Sequence, residues 1–215
     1  MGAVIIKQGT ARLLIENVIS VTGTEDVDYP DEGLYEINVN SAITNSEKIS
    51  HDDARIKTMA FLQKIVEKGW QSTIPRGMAR IRGKDMNNYK LENRKTTTLD
   101  PMYVPTLREW MRFTVLTEWE FYFNGAYLTV QMSREPTLTD PQKPGVYLIS
   151  TIIQSESDYF RGYLDGQDRA RWKDLLMSQI TNMAEHRATL ESEFRKKGIA
   201  IDETYVDPPL PSLEK

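Results

Sequence analysis

The stretch LTEWEFYFNGAYLTVQMS, residues 116–133, decides the fold. Two alternating segments, Leu116 to Phe123 and Ala126 to Ser133, flank Asn124-Gly125. Asn-Gly is the preferred two-residue hairpin turn, because both central residues must accept a positive φ. Fixing that turn fixes the register. Phe123 then faces Ala126, Phe121 faces Leu128, Trp119 faces Val130 and Thr117 faces Met132, so one face is almost wholly apolar. The other face holds Tyr122 with Tyr127, Glu120 with Thr129 and Glu118 with Gln131. Turn chemistry and alternation agree independently on an antiparallel hairpin.

Further strands lie on either side of it. Leu34 to Ile43 alternates, with Tyr35, Ile37, Val39 and Ile43 on one face. Arg12 to Val21 is read as a strand interrupted at Asn17, and Thr22 to Gly33 as an acidic loop. Val146 to Ile153 is apolar on both sides, as expected of a central strand covered on both faces. Trp70 to Ile74 is a short extended segment. Ser50 caps a helix that starts with Asp52 and Asp53, buries a Met59, Leu62, Ile65 and Val66 stripe, and ends at Gly69. Arg76 to Lys95 is expected to be a long loop or an irregular strand pair, and Thr106 to cap a short helix through Trp110. A long helix from about Gln167 to Lys197, with Asp165 or Asp168 as its cap, carries Trp172, Leu176, Ile180, Met183, Leu190 and Phe194 at helical spacing. Together these predict one α+β domain over 1–198: an antiparallel sheet packed against a medium helix and a long C-terminal helix. Residues 199–215 form an extended, Pro-rich tail.

Composition narrows the chemistry. The 215 residues include no Cys and two His, with 27 Lys+Arg against 31 Asp+Glu for a formal net charge of −4. Thiolate nucleophiles, disulfides and Cys-based metal centres are excluded. An acidic chain is a poor candidate for a dedicated nucleic-acid binder. No serine-nucleophile elbow, phosphate-binding glycine loop or helical His pair occurs, and Gly83-Lys84 lacks the spacing of a phosphate loop. His51 and His186 are isolated from each other, His51 at a helix start that is commonly surface. Glu118 and Glu120 share a strand face at about 7 Å, a separation that glycoside hydrolysis can use. Arg187 stands inside the apolar stripe of the long helix, either as a stem lying on the core or as half of a buried ion pair.

Two charged regions of opposite sign remain. Asp26, Asp28, Tyr29, Asp31 and Glu32 form one; Arg80, Arg82 and Lys84, within the basic run from Arg76 to Lys95, form the other. They either neutralise each other within the fold or make two poles of a partner-binding surface. Tyr122 and Tyr127 are either partner contacts or the face covered by the protein's own helix.

A Cys-free, acidic α+β chain with a strong hairpin from Trp119 to Met132, a long helix and no catalytic signature resembles bacterial immunity proteins. That resemblance implies a toxin effector as protein partner and a place beside a bacterial secretion system; the missing motifs lead to the expectation of no cofactor and no metal. It implies a compartment set by where the toxin acts; a leader or lipid anchor cut away before Met1-Gly2 would favour the periplasm over the cytoplasm. The expected function is non-enzymatic: covering an effector's active site through Asp26, Asp28, Tyr29, Asp31, Glu32, Arg80, Arg82, Lys84, Tyr122 and Tyr127. The alternatives are a hydrolase or sugar-active enzyme using Glu118, Glu120 and His186, and a structural subunit of a bacterial or phage assembly.

Overall fold

A computed structural model describes residues 2–93, 98–113 and 116–213. In chain order the elements are β1 (Gly2–Gln8), β2 (Ala11–Glu25), β3 (Leu34–Ala42), α1 (His51–Glu67), β4 (Gln71–Ser72), α2 (Gly83–Asn93), α3 (Leu107–Arg112), β5 (Leu116–Phe123), β6 (Ala126–Arg134), β7 (Tyr147–Ser155), α4 (Glu156–Arg161) and α5 (Trp172–Lys196). The strands form one seven-stranded antiparallel sheet in the order β1-β2-β3-β7-β6-β5-β4, so the class is α+β, with the long helix at the C-terminal end.

The hairpin has the register its turn dictates, from Phe123 opposite Ala126 to Thr117 opposite Met132. Asn124 and Gly125 both take positive φ, 47° and 78°. Pairing carries that register across the sheet: Trp119, Val130, Thr151 and Val39 lie side by side on four strands, none more than 1% exposed. α1 supplies the cover, burying Ala54, Met59, Leu62 and Ile65 in the same core. Its cap is the expected one, Ser50 Oγ accepting from the Asp53 N–H at 3.0 Å. Thr106 and Glu109 close a reciprocal capping box on α3.

The sheet curls. β2 pairs with β1 as far as Val18, then shifts register and runs on against β3 to Glu25. Asn17, at φ 54°, sits beside that irregularity. The turn between β1 and β2 reaches the turn of the central hairpin, where Gln8 Nε2 donates to the Asn124 carbonyl at 2.9 Å. Residues 22–25, expected in a loop, are therefore strand. The other edge is closed: β4 pairs with Tyr122 and Phe121, Thr73 N–H donates to the Glu120 carbonyl, and Leu99 N–H donates to that of Glu118.

Several expectations are corrected. The basic run contains α2, whose buried positions are Met86, Asn87 and Lys90; two of the three are polar, so no apolar stripe announces a helix. Arg94 and Lys95 lie outside the described residues. The long helix begins later than expected. A 3-10 turn, Gly166–Arg171, precedes α5, and neither Asp165 before the turn nor Arg171 before α5 makes a side-chain capping bond. His51 is not at the surface. It is 1% exposed, its Nδ1 lies 2.5 Å from the Tyr147 hydroxyl, and burial lowers its pKa.

Residues 199–213, without helix or strand, are built into the body. Asp202 N–H donates to the Arg80 carbonyl, Gln71 Nε2 donates to the Val206 carbonyl, and Tyr205 is buried in the main core. The Tyr205 hydroxyl accepts from the Ile74 N–H at 2.8 Å and contacts the Ile74 carbonyl at 3.3 Å; burial pushes its pKa to about 12. In Tyr205→Phe the buried Ile74 N–H loses its acceptor, at a cost of about 1–3 kcal/mol. Thermal unfolding should then shift down by roughly 2–4 °C per kcal/mol in a chain of this size. An unchanged midpoint would show that the tail does not contribute to the cooperative unit.

Candidate interaction surface

The acidic loop after β2 is held from beneath. Arg161, at the end of α4, is 1% exposed, and its guanidinium lies 4.0 Å from the centre of the Tyr29 ring. The same group donates to both Glu32 oxygens, at 2.8 and 3.3 Å. Asp158, one turn earlier on α4, stands 3.8 Å away, and Ser157 donates to Glu32 at 3.1 Å. α4 itself starts at a Ser155 cap whose Oγ accepts from the Asp158 N–H. Burial disfavours the Arg161 charge, but the bonds to Glu32 outweigh it and the pKa is raised. Within the loop, Asp26 Oδ1 accepts from the Asp28 N–H, Pro30 opens a 3-10 turn, and Gly33 turns the chain at φ 62°.

This clamp fixes one side of the loop and leaves the other to solvent. Val27 at its tip is 91% exposed, and Asp28 and Asp31 are exposed with it. Asp26 and Tyr29 are half-buried parts of the loop's own structure. Leu34, immediately after the loop, is 54% exposed.

The basic set is arranged differently. Arg80 bonds Glu191 through Nε at 2.7 Å and NH2 at 2.8 Å, and reaches Glu203 at 3.4 Å. Arg82 bonds Asp202 at 2.9 Å, and Arg76 donates to the Pro208 carbonyl. Arg187 bonds Asp207 at 2.6 and 3.0 Å and donates to the Pro75 and Met78 carbonyls, so it is paired with an acid, and the pair is half-buried. Arg76, Arg80 and Arg82 of the basic segment are thus paired with the tail and α5, not with the acidic loop. Lys84 remains exposed on the first turn of α2. Asp26 to Glu32 and Arg80 to Arg82 belong to separate ion-pair systems.

Tyr122 and Tyr127 are covered by the protein itself. Tyr127 is buried, stacked on Tyr159 of α4 at 3.4 Å, in a second core with Phe160, Trp172 and Leu176. Tyr122 is half-buried against Tyr127 and bonds the Gly125 N–H. Of the two alternatives, the intramolecular cover is what the structure shows. Under the same cover lies Glu120, which accepts from Thr73 Oγ1 at 2.6 Å and from the Tyr159 hydroxyl at 2.9 Å. Glu118 accepts from Gln131 Nε2. His186 is exposed, its Nδ1 2.8 Å from the Gly77 carbonyl. The three groups considered for hydrolysis are therefore anchored to three different sets of neighbours.

Comparisons with protein-family models, with curated proteins and with solved structures found no match. The surface is accordingly read from its own chemistry. Sequence reasoning singled out Glu32 and Tyr29 but not Arg161, the residue that organises them, nor Val27. The Ser155-x-x-Asp158 start of α4 is visible in the sequence; that its last turn faces Glu32 is a tertiary fact.

Burial raises the Glu120 pKa against the two hydroxyls that favour its charge. An acid with a raised folded pKa contributes its full stability below the ordinary glutamate range and loses it as pH climbs through its own pKa. Glu120→Gln should therefore unfold at a higher temperature than the wild type near neutrality. The gap should close as pH falls through the carboxylate range. A gap that widens on acidification would mean the carboxylate is stabilising when charged.

Proposed function

We propose that this protein is a non-enzymatic protein-binding module that presents the loop Asp26–Gly33 to a basic surface on its partner. The supporting observation is the Arg161 clamp. A buried guanidinium holds Tyr29 and Glu32 while Val27, Asp28 and Asp31 face solvent. An exposed apolar tip ringed by carboxylates and already ordered avoids part of the entropy cost of binding. Like-signed charge on one corner steers a cationic partner toward it. Neutralisation of a secreted effector, by covering a basic active site, is the form of this function in keeping with the resemblance to immunity proteins.

Charge reversal at the two exposed acids tests the reading. Asp28→Lys with Asp31→Lys leaves the clamp untouched. The tagged chain and this variant would be cross-linked to partners in their native cells and mapped by mass spectrometry. Cross-links should fall on residues 25–34. With the purified partner, the variant's association rate should drop by about tenfold or more at low salt and lose its salt dependence. A partner retained unchanged by the variant, with cross-links elsewhere, would contradict the assignment.

A further inference from the structure

We infer that the cleft enclosed by β2, β3 and α1 is a binding site for a small monocarboxylate with an apolar body, of the medium-chain fatty acid kind. The cleft lies at the opposite end of β3 from the acidic loop, so the site stands or falls independently of the binding-module reading.

The sheet opens where the cleft forms. β3 pairs with β2 from Leu34 opposite Glu25 only as far as Ser41 opposite Val18. Further back, Leu13, Leu14 and Ile15 of β2 pair with β1 instead. Asn17, at φ 54°, stands at the change. Residues 14–17 and 41–43 are thereby left as two walls, and α1 covers the gap between them with Thr58 and Phe61. The cavity measures about 320 Å³. Ligand pockets span roughly 300–1,000 Å³. A cavity of about 150 Å³ takes up a benzene molecule, so this one has room for roughly a dozen non-hydrogen atoms.

The lining sets the chemistry of the ligand. Ile15, Ile43, Phe61 and Ile149 make the walls apolar. Thr58 is 1% exposed, and its hydroxyl has no hydrogen-bond partner among the described residues. A buried hydroxyl left unpaired is costly, and an acceptor on a ligand removes that cost. Threonine divides between two χ1 rotamers in a helix, so the hydroxyl turns toward a ligand without backbone movement.

Charge selects the head group. Lys57 and Lys64 stand two turns apart on α1, exposed at the mouth of the cleft, and neither forms an ion pair among the described residues. Glu16 opposes them from β2, so two cations and one acid leave the mouth with a net positive charge of one. A carboxylate matches that charge. A phosphate monoester, nearer two negative charges at neutral pH, exceeds it. The carboxylate meets the lysines and accepts from Thr58, while the hydrocarbon body fills the apolar remainder.

The test uses the full chain with decanoate as the probe. Decylammonium controls for the charge of the head group and acetate for the apolar body. Affinity is read by calorimetry and location by amide hydrogen exchange. Decanoate should bind saturably and slow exchange within residues 14–17 and 41–43. Decylammonium and acetate should bind at least about tenfold more weakly. Ala60→Phe, which sets a ring at the mouth, and Thr58→Val should each weaken decanoate by about tenfold. Lys57→Gln with Lys64→Gln should weaken it by about fivefold and flatten its salt dependence. Ala60, Lys57 and Lys64 are exposed, so their substitution leaves the core untouched, and circular dichroism checks the fold of every variant. No binding at millimolar decanoate overturns the site, and so does binding that Ala60→Phe leaves unaltered. Decylammonium held as tightly as decanoate overturns the carboxylate assignment, as does an affinity unchanged in both Thr58→Val and the double lysine variant.

Discussion

The Arg161 guanidinium is the contact on which the functional corner depends. It is removed from water, flanked by Glu32 and Asp158, and roofed by the Tyr29 ring. A desolvated cation–π contact contributes about 2 kcal/mol. A charge-assisted hydrogen bond adds about 1.5–3 kcal/mol. Ordering a loop residue costs roughly 1–2 kcal/mol, so this one side chain offsets only a few of the positions between Asp26 and Gly33. Pro30 with its fixed φ and the Asp26 bond to the Asp28 N–H add local order.

A second set of arginines works inward. Arg76, Arg80, Arg82 and Arg187 meet acids or carbonyls of α5 and the tail, and the tail in turn closes the core with Tyr205. The chain therefore distributes its charge unevenly. Arg76, Arg80 and Arg82 of its most basic segment are paired within the fold, and its acidic loop keeps Asp28 and Asp31 in solvent.

What the sequence disclosed, and what it hid, has a physical pattern. The hairpin, α1 and the central place of β7 were legible because each rests on local chemistry: Asn124-Gly125, the Ser50 cap, an apolar run on both faces. α2 was hidden because Asn87 and Lys90 occupy positions where a periodic reading looks for hydrophobes. His51 was misplaced because a helix start is usually wet, and its burial comes from Gly145 and Tyr147, distant in the chain. The acidic loop was legible as a candidate surface, while its clamp was not, because Glu32 and Arg161 are far apart in the chain and nothing local joins them. A similar distance hid the pairing of Arg80 with Glu203, and of the two alternatives for the charged loops the structure does not show them neutralising each other.

Global stability is a poor probe of the Arg161 contact, since a buried ion pair replaced by an apolar side chain of similar volume is often neutral. Local amide exchange is direct. In Arg161→Met the bonded amides of Asp28, Tyr29, Glu32 and Gly33 should exchange at close to unstructured rates, with protection retained in the β5–β6 hairpin and α1. Loop amides as protected as in the wild type would contradict the account, because the loop would then owe its order to something other than this guanidinium.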